Sequence, residues 1–107
     1  MSADNGVYIL RTIRTWKKGN GAYIRIPQEY VYRVAFASAI DNFKWYKENQ
    51  PYNLGYYMWK IWGYSIVFTD FEKALNTAYE ITRRGLPTEY GVNRIDTDLV
   101  FPTDSFL

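Results

Sequence analysis

The stretch EYVYRVAFASAI, residues 29–40, contains the change of periodicity that decides the fold. Residues 30–36 alternate with a period of two, which is typical of a β-strand. Ser38 and Asp41 then form a capping pair that predicts a helix running to Asn49. One face of the strand carries Tyr30, Tyr32, Val34 and Phe36, and the other carries Val31, Arg33 and Ala35. The small residues on the second face allow a helix or a ligand to approach closely.

Before this stretch, the sequence predicts a strand, a turn and a second short strand. Residues 7–16 are rich in β-branched and aromatic side chains, and KKGNG at 17–21 supplies glycines for a turn. The short strand at 23–26 is ended or pushed to a sheet edge by Pro27. The opening Asp4-Asn5-Gly6 triplet predicts a turn in which Asn5 and Gly6 adopt left-handed backbone angles.

After residue 40, helices and strands continue to alternate. A second short helix is predicted from Asn53, a strand at 64–68, and a helix behind the capping box at 69–72. EYGVNRI predicts a last strand, followed by an acidic tail at 97–107. We therefore expect one domain over 1–107 of the α+β class, with a mostly antiparallel sheet of four to five strands packed by two or three helices. A chain of 107 residues is expected to form one layer of sheet and one of helix.

Composition excludes several kinds of chemistry. Cysteine and histidine are both absent, so the chain lacks disulfides, thiolate metal sites and the usual general base. Phosphate loops, dinucleotide fingerprints and metal-ligand spacings are also absent. We expect a protein that is not an enzyme, with no cofactor and no metal, soluble and intracellular, and without a membrane span.

Charge is distributed unevenly along the chain. Residues 1–37 carry six Lys and Arg against two acidic residues, whereas residues 88–107 carry one Arg against four acidic residues. A basic start and an acidic end suggest an anionic ligand or head-to-tail contact between subunits. Ordinary solvated surface charge is the third interpretation.

Aromatic residues make up 20% of the chain, more than a core of this size can hide. Trp45, Tyr56 and Trp59 lie off the apolar stripes of the two predicted helices. Their rings could be covered by a second layer of the same subunit, form a homo-oligomer interface, or stack on nucleic-acid bases.

The candidate ligand-binding residues combine these rings with cations and short polar side chains. Arg33 on the small face predicts either an ion pair with Asp41 or an anionic ligand. Arg11 on the first strand is a second candidate cation. The remaining candidates, suited to reading a base edge, are Asp4, Asn5, Asp41 and Asn42.

Four segments carry a resemblance to a known family: ADNGVYILRT, YRVAFASAIDNFKWY, VFTDFEKALNTAYEI and EYGVNRI. Together they resemble a family of small tailed-bacteriophage proteins that start Asp-Asn-Gly-Val/Ile-Tyr-Ile-Leu. The resemblance implies a phage accessory protein that binds a host component in the cytoplasm of the infected bacterium. Inhibitors of bacterial immunity are among such proteins. The resemblance assigns no site residues.

The leading hypothesis is a homo-oligomeric sponge of the anti-CBASS type that sequesters a cyclic dinucleotide. Its rings would stack on the bases, while Arg11 and Arg33 would meet the phosphates. The alternative is a protein–protein inhibitor of a host defence factor such as a CRISPR effector. A third interpretation is a single-stranded nucleic-acid binder, against which the modest net charge of +2 argues.

Overall fold

The computed structural model describes residues 6–19, 21–62, 66–83 and 91–101. Four strands and three α-helices are present in this part of the chain, together with one 3-10 turn between the first two helices. In chain order these elements are β1 (Val7–Lys18), β2 (Tyr23–Phe36), α1 (Ala37–Asn49), the 3-10 turn Pro51–Asn53, α2 (Leu54–Trp62), β3 (Val67–Phe68), α3 (Phe71–Arg83) and β4 (Val92–Val100).

The sheet has the strand order β3-β2-β1-β4. The β1–β2 and β2–β3 pairs are antiparallel, whereas β1 and β4 are parallel. The predicted α+β class, with a mostly antiparallel sheet of four strands and three helices, is confirmed. Parallel pairing of the first and last strands brings the basic start of the chain beside its acidic end.

Helices cover both faces of the sheet, so the expectation of a single helical layer is wrong. Leu10 and Ala35 pack under α1 and α2, where Ile40, Phe43, Leu54, Met58, Trp62 and Phe101 complete one core. On the opposite face, Val7 and Ile9 pack against Ala74 and Ala78 of α3. Successive residues of β1 therefore serve two different cores, which follows from the alternation of side chains along a strand.

Gly55 sets the closeness of α2 to the end of β4. A Cβ at this position would lie 2.7 Å from the carbonyl oxygen of Val100. No side chain fits that space without a shift of backbone. Gly55 weakens the helix by propensity, but it allows α2 to lie directly on the sheet.

The structure corrects several predicted boundaries. The strands expected on either side of Pro27 are one continuous β2, and the proline falls at a register shift opposite β1 between Arg14 and Trp16. A bulge tolerates the missing N–H of proline. Residues 97–100 of the expected tail belong to β4, and Phe101 is buried in the core. Only Gly21 and Gly91 have positive φ among the described glycines, so the left-handed angle expected at Gly6 is wrong.

The helix starts also differ in detail from the predictions. No side chain caps the start of α1, which begins at Ala37 rather than behind a capping pair at Ser38. At α3, the Asp70 carboxylate accepts a hydrogen bond from the Glu72 N–H at 3.0 Å, so Asp70 is the capping residue of the predicted box. In α2 the buried stripe includes Trp62, whereas Ile61 is exposed.

Candidate binding surface

The outer side of the α1–α2 layer carries a continuous series of aromatic ring contacts. On α1, Trp45 meets Tyr46 edge to face, with ring centroids 5.0 Å apart. Tyr46 then stacks on Tyr57 of α2 at 4.5 Å, with the two rings inclined by only 13°. This stack joins the two helices through their aromatic side chains.

The series continues across α2. The Tyr57 ring meets Tyr56 at 5.7 Å, and Tyr56 meets Trp59 at 6.0 Å. Trp45, Tyr46, Tyr56, Tyr57 and Trp59 are referred to below as the aromatic surface. Edge-to-face and stacked pairs of this kind contribute about 0.5–1.5 kcal/mol each beyond the area they bury, so the surface is a cohesive unit.

Much of this region is open to solvent. Trp45 is 54% exposed and Tyr56 is 48% exposed, and Tyr52 on the connecting 3-10 turn is 99% exposed. Taking about 150–250 Å² for a whole ring side chain, Trp45 and Tyr56 leave roughly 150–250 Å² uncovered, and Tyr52, which is outside the aromatic surface, adds about as much. An exposed apolar patch of roughly a few hundred Å² is often functional.

Sequence periodicity predicts the outward placement of Trp45 and Tyr56 but misses the rings that connect them. Trp59, also predicted to face outward, is half-buried because it packs against the α1–α2 core. It is therefore less exposed than expected. Tyr46 and Tyr57 are not among the predicted site residues. Adjacent aromatic pairs on consecutive helices were an available signal, because neighbours differ by about 100° and one ring of each pair can face the other helix.

Polar and charged groups border the aromatic surface. Asp41 and Asn42 lie one turn before Trp45 on α1, half-buried and exposed respectively, so the three predicted site residues of this helix share its outer side. Lys60 places its Nζ 5.6 Å from the centroid of the Tyr56 ring. The rings therefore have a cation beside them.

Arg33 lies inside the protein, with no surface open to solvent. Its side chain is fully buried, its Nη1 donates to the Trp62 carbonyl at 3.1 Å, and its guanidinium lies 4.8 Å from the centroid of the Phe101 ring. Trp62 is the last residue of α2, where a cation is favoured by the helix dipole. Arg33 thus holds the end of α2 against the sheet.

Arg11 is engaged with β4. Its Nη2 lies 3.3 Å from the Asp98 carboxylate and its Nη1 lies 3.7 Å from that of Asp96, while the guanidinium lies over the Tyr30 ring at 4.1 Å. Part of the positive charge at the start of the chain is therefore neutralised by acidic residues near the end of the same chain. Asp96 also accepts a 2.6 Å hydrogen bond from Arg94, and this bond raises the pKa of Arg94.

The two arginines do not converge on one pocket. Leu10 pairs with Arg33 and its neighbour Arg11 pairs with Tyr32, so Arg11 and Arg33 project from opposite faces of the sheet. The predicted site that joined both cations to Trp45 is not assembled in this structure. Asp4 and Asn5 lie outside the described residues.

Two grooves occur away from the rings. One, of about 340 Å³, runs between α1 and β4 and is lined by Phe43, Lys47, Leu54 and residues 95–99. The other, of about 170 Å³, is lined by Ile13 and residues 28–30. Neither is lined by a residue of the aromatic surface, and the carboxylates of Asp96 and Asp98 make the first unfavourable for an anion.

The described residues reveal no metal site or membrane span. Within 6–19, 21–62, 66–83 and 91–101, no three acidic side chains come together to hold a metal ion. In the same ranges, none of the helices is long and apolar enough to cross a membrane. The candidate site is the aromatic surface because of its ring contacts and the exposure of Trp45 and Tyr56.

Comparison of the chain with known protein families, curated proteins and solved structures finds no match.

Proposed function

We propose that this protein is a non-catalytic binding protein that docks on a partner protein through the aromatic surface. The observation that carries the proposal is the unbroken series of rings from Trp45 to Trp59, with its outward members about half exposed. Trp and Tyr are enriched among the residues that dominate binding energy at protein interfaces.

The geometry favours a macromolecule over a small ligand. Small-molecule sites are concave and bury most of the ligand, whereas these rings lie on an open helical surface and line neither groove. The uncovered area of Trp45 and Tyr56 is about a quarter of the roughly 800 Å² that each partner contributes to a standard interface. The aromatic surface can therefore form the apolar centre of such an interface, with a polar rim around it.

Charge indicates the chemistry of the partner. The exposed charged side chains of α1 and α2 are Lys44, Lys47 and Lys60 against Glu48. An apolar cleft rimmed by carboxylates is complementary to this arrangement. In the phage setting that the sequence resemblance implies, the partner is a host defence protein, for example a CRISPR effector.

A nucleotide signal is the second candidate, supported by the position of Lys60 beside the Tyr56 ring. A base stacked on an exposed ring and a phosphate beside the ammonium group match this pair. In this form the cyclic-dinucleotide sponge needs neither Arg11 nor Arg33. It needs a second copy of the chain to enclose the ligand, since one aromatic surface is open.

The test is a quantitative pull-down from bacterial lysate with the unmodified protein and two variants. Trp45→Ala/Tyr56→Ala removes the exposed rings, whereas Tyr79→Ala removes a ring of matched exposure, 46%, on α3. We expect one stoichiometric partner to be retained by Tyr79→Ala and lost by the double variant. With the purified partner, the double variant is expected to bind at least about 30-fold more weakly, equivalent to about 2 kcal/mol.

Two results would contradict the proposal. Retention of the partner by the double variant would place the interface elsewhere. A partner absent from every sample, combined with a thermal shift by a cyclic dinucleotide that the double variant lacks, would replace the lead with the nucleotide candidate.

A further inference from the structure

The β1–β2 hairpin extends beyond the rest of the sheet. Pairing of β1 with β4 ends at Ile13 and Val100, and β3 pairs with β2 only at Tyr32 and Arg33. Residues 14–19 and 21–29 therefore form a two-stranded ribbon with no third strand beside it in the described part of the chain. This segment is the hairpin arm.

The hairpin arm concentrates the positive charge of the protein. It contains Arg14, Lys17, Lys18 and Arg25 against Glu29, a net charge of +3, whereas the whole chain carries +2. Glu29 is occupied by an ion pair with Arg14. The rest of the chain carries a net charge of −1.

The arm is a paired and exposed element. Its register pairs Trp16 with Arg25, Lys17 with Ile24 and Lys18 with Tyr23. The Arg25 guanidinium lies 5.9 Å from the Trp16 ring centroid, a contact that ties the two strands together. Ile24 is 55% exposed, so the arm does not fold back on the body of the protein at this point.

We propose that the hairpin arm binds double-helical DNA, with its ribbon in the major groove and its cations on the flanking phosphates. A two-stranded β-ribbon fits the major groove of B-form DNA, which is about 12 Å wide. The deep, narrow major groove of A-form RNA does not admit it. Five strand residues from Arg14 to Lys18 span about 17 Å, enough to reach across the groove.

This inference is independent of the proposed function, since it concerns a different part of the fold. The modest net charge of the whole chain is a poor guide to nucleic-acid binding, because it is the sum of +3 on the arm and −1 on the rest of the chain. A local charge of +3 on a protruding element generates a strong local potential.

The experiment measures fluorescence anisotropy with a labelled DNA duplex of roughly two helical turns. Three cation–phosphate contacts predict a slope of about −2.7 for log affinity against log salt, or about 40-fold weaker binding at about 200 mM than at about 50 mM salt. Lys17→Glu/Lys18→Glu/Arg25→Glu is expected to reduce affinity more than about tenfold and to remove this salt dependence.

The matched comparison is Arg25→Glu on the arm against Lys73→Glu at an exposed position of α3, because both make the same change in net charge. Arg25→Glu is expected to weaken binding more than about threefold, whereas Lys73→Glu is expected to keep affinity within about threefold. Equal losses in these two single variants would show a net-charge effect and overturn the assignment. No duplex binding by the unmodified protein, or tighter binding to single-stranded DNA or A-form RNA of equal length, would overturn it as well.

Discussion

Substitution of Gly55 by alanine tests how α2 is seated on the sheet. The added Cβ would lie 2.7 Å from the Val100 carbonyl oxygen, about 0.7 Å inside an ordinary van der Waals contact. Relief requires α2 or the end of β4 to move, because the obstacle is backbone. Overpacking of this kind costs about 1–3 kcal/mol, whereas alanine gains about 1 kcal/mol over glycine in helix propensity.

The expected net effect is a loss of about 1 kcal/mol, or a decrease in Tm of about 4–8 °C for a domain of this size. Differential scanning calorimetry measures the change directly. Asn76→Ala, at an exposed position within α3, is the control and should stabilise the protein by a few tenths of a kcal/mol. If Gly55→Ala raised the Tm by as much as an unobstructed helix substitution does, the close approach of α2 to β4 would be refuted.

Three further predictions concern stability and are checked by urea denaturation. Arg33→Ala is expected to cost about 3 kcal/mol or more, because it leaves a cavity and removes the cation at the end of α2; Arg33→Met, which keeps the stem, should cost less. Asp70→Ala should cost about 1 kcal/mol through loss of the α3 cap, and Asp70→Asn much less. Gly21→Ala should cost about 1–2 kcal/mol because the backbone angle φ is +76°, although an added Cβ would meet no other atom; an unchanged stability would argue against that angle.

Local patterns in the sequence predict much of the fold. Alternation in β2 and the helix behind the capping box at 69–72 appear in the structure as expected. The expectation of a single helical layer overlooks one signal in the sequence, because β2 carries apolar residues on both faces. A strand that is apolar on both faces indicates cover on both, and Tyr32 and Val34 do pack on the α3 side.

The candidate site was less predictable because its contacts are tertiary. Arg33 donates a hydrogen bond to the backbone carbonyl of Trp62. Every residue has a backbone carbonyl, so the sequence cannot indicate which one Arg33 contacts. Arg11 meets Asp98 only because β1 and β4 are parallel and in a particular register. A helical stripe places Tyr46 on one face of α1, but not against a particular ring of α2.

In the proposed function the aromatic surface, rather than exposed aromatic area in general, contacts the partner. Site-specific photo-crosslinking from positions 56 and 79 distinguishes the two, since Tyr56 and Tyr79 have matched exposure, 48% and 46%, on opposite sides of the sheet. We expect a crosslinked partner of defined mass from position 56 and none from position 79. Equal crosslinking from both positions, or crosslinking from position 79 alone, would contradict it.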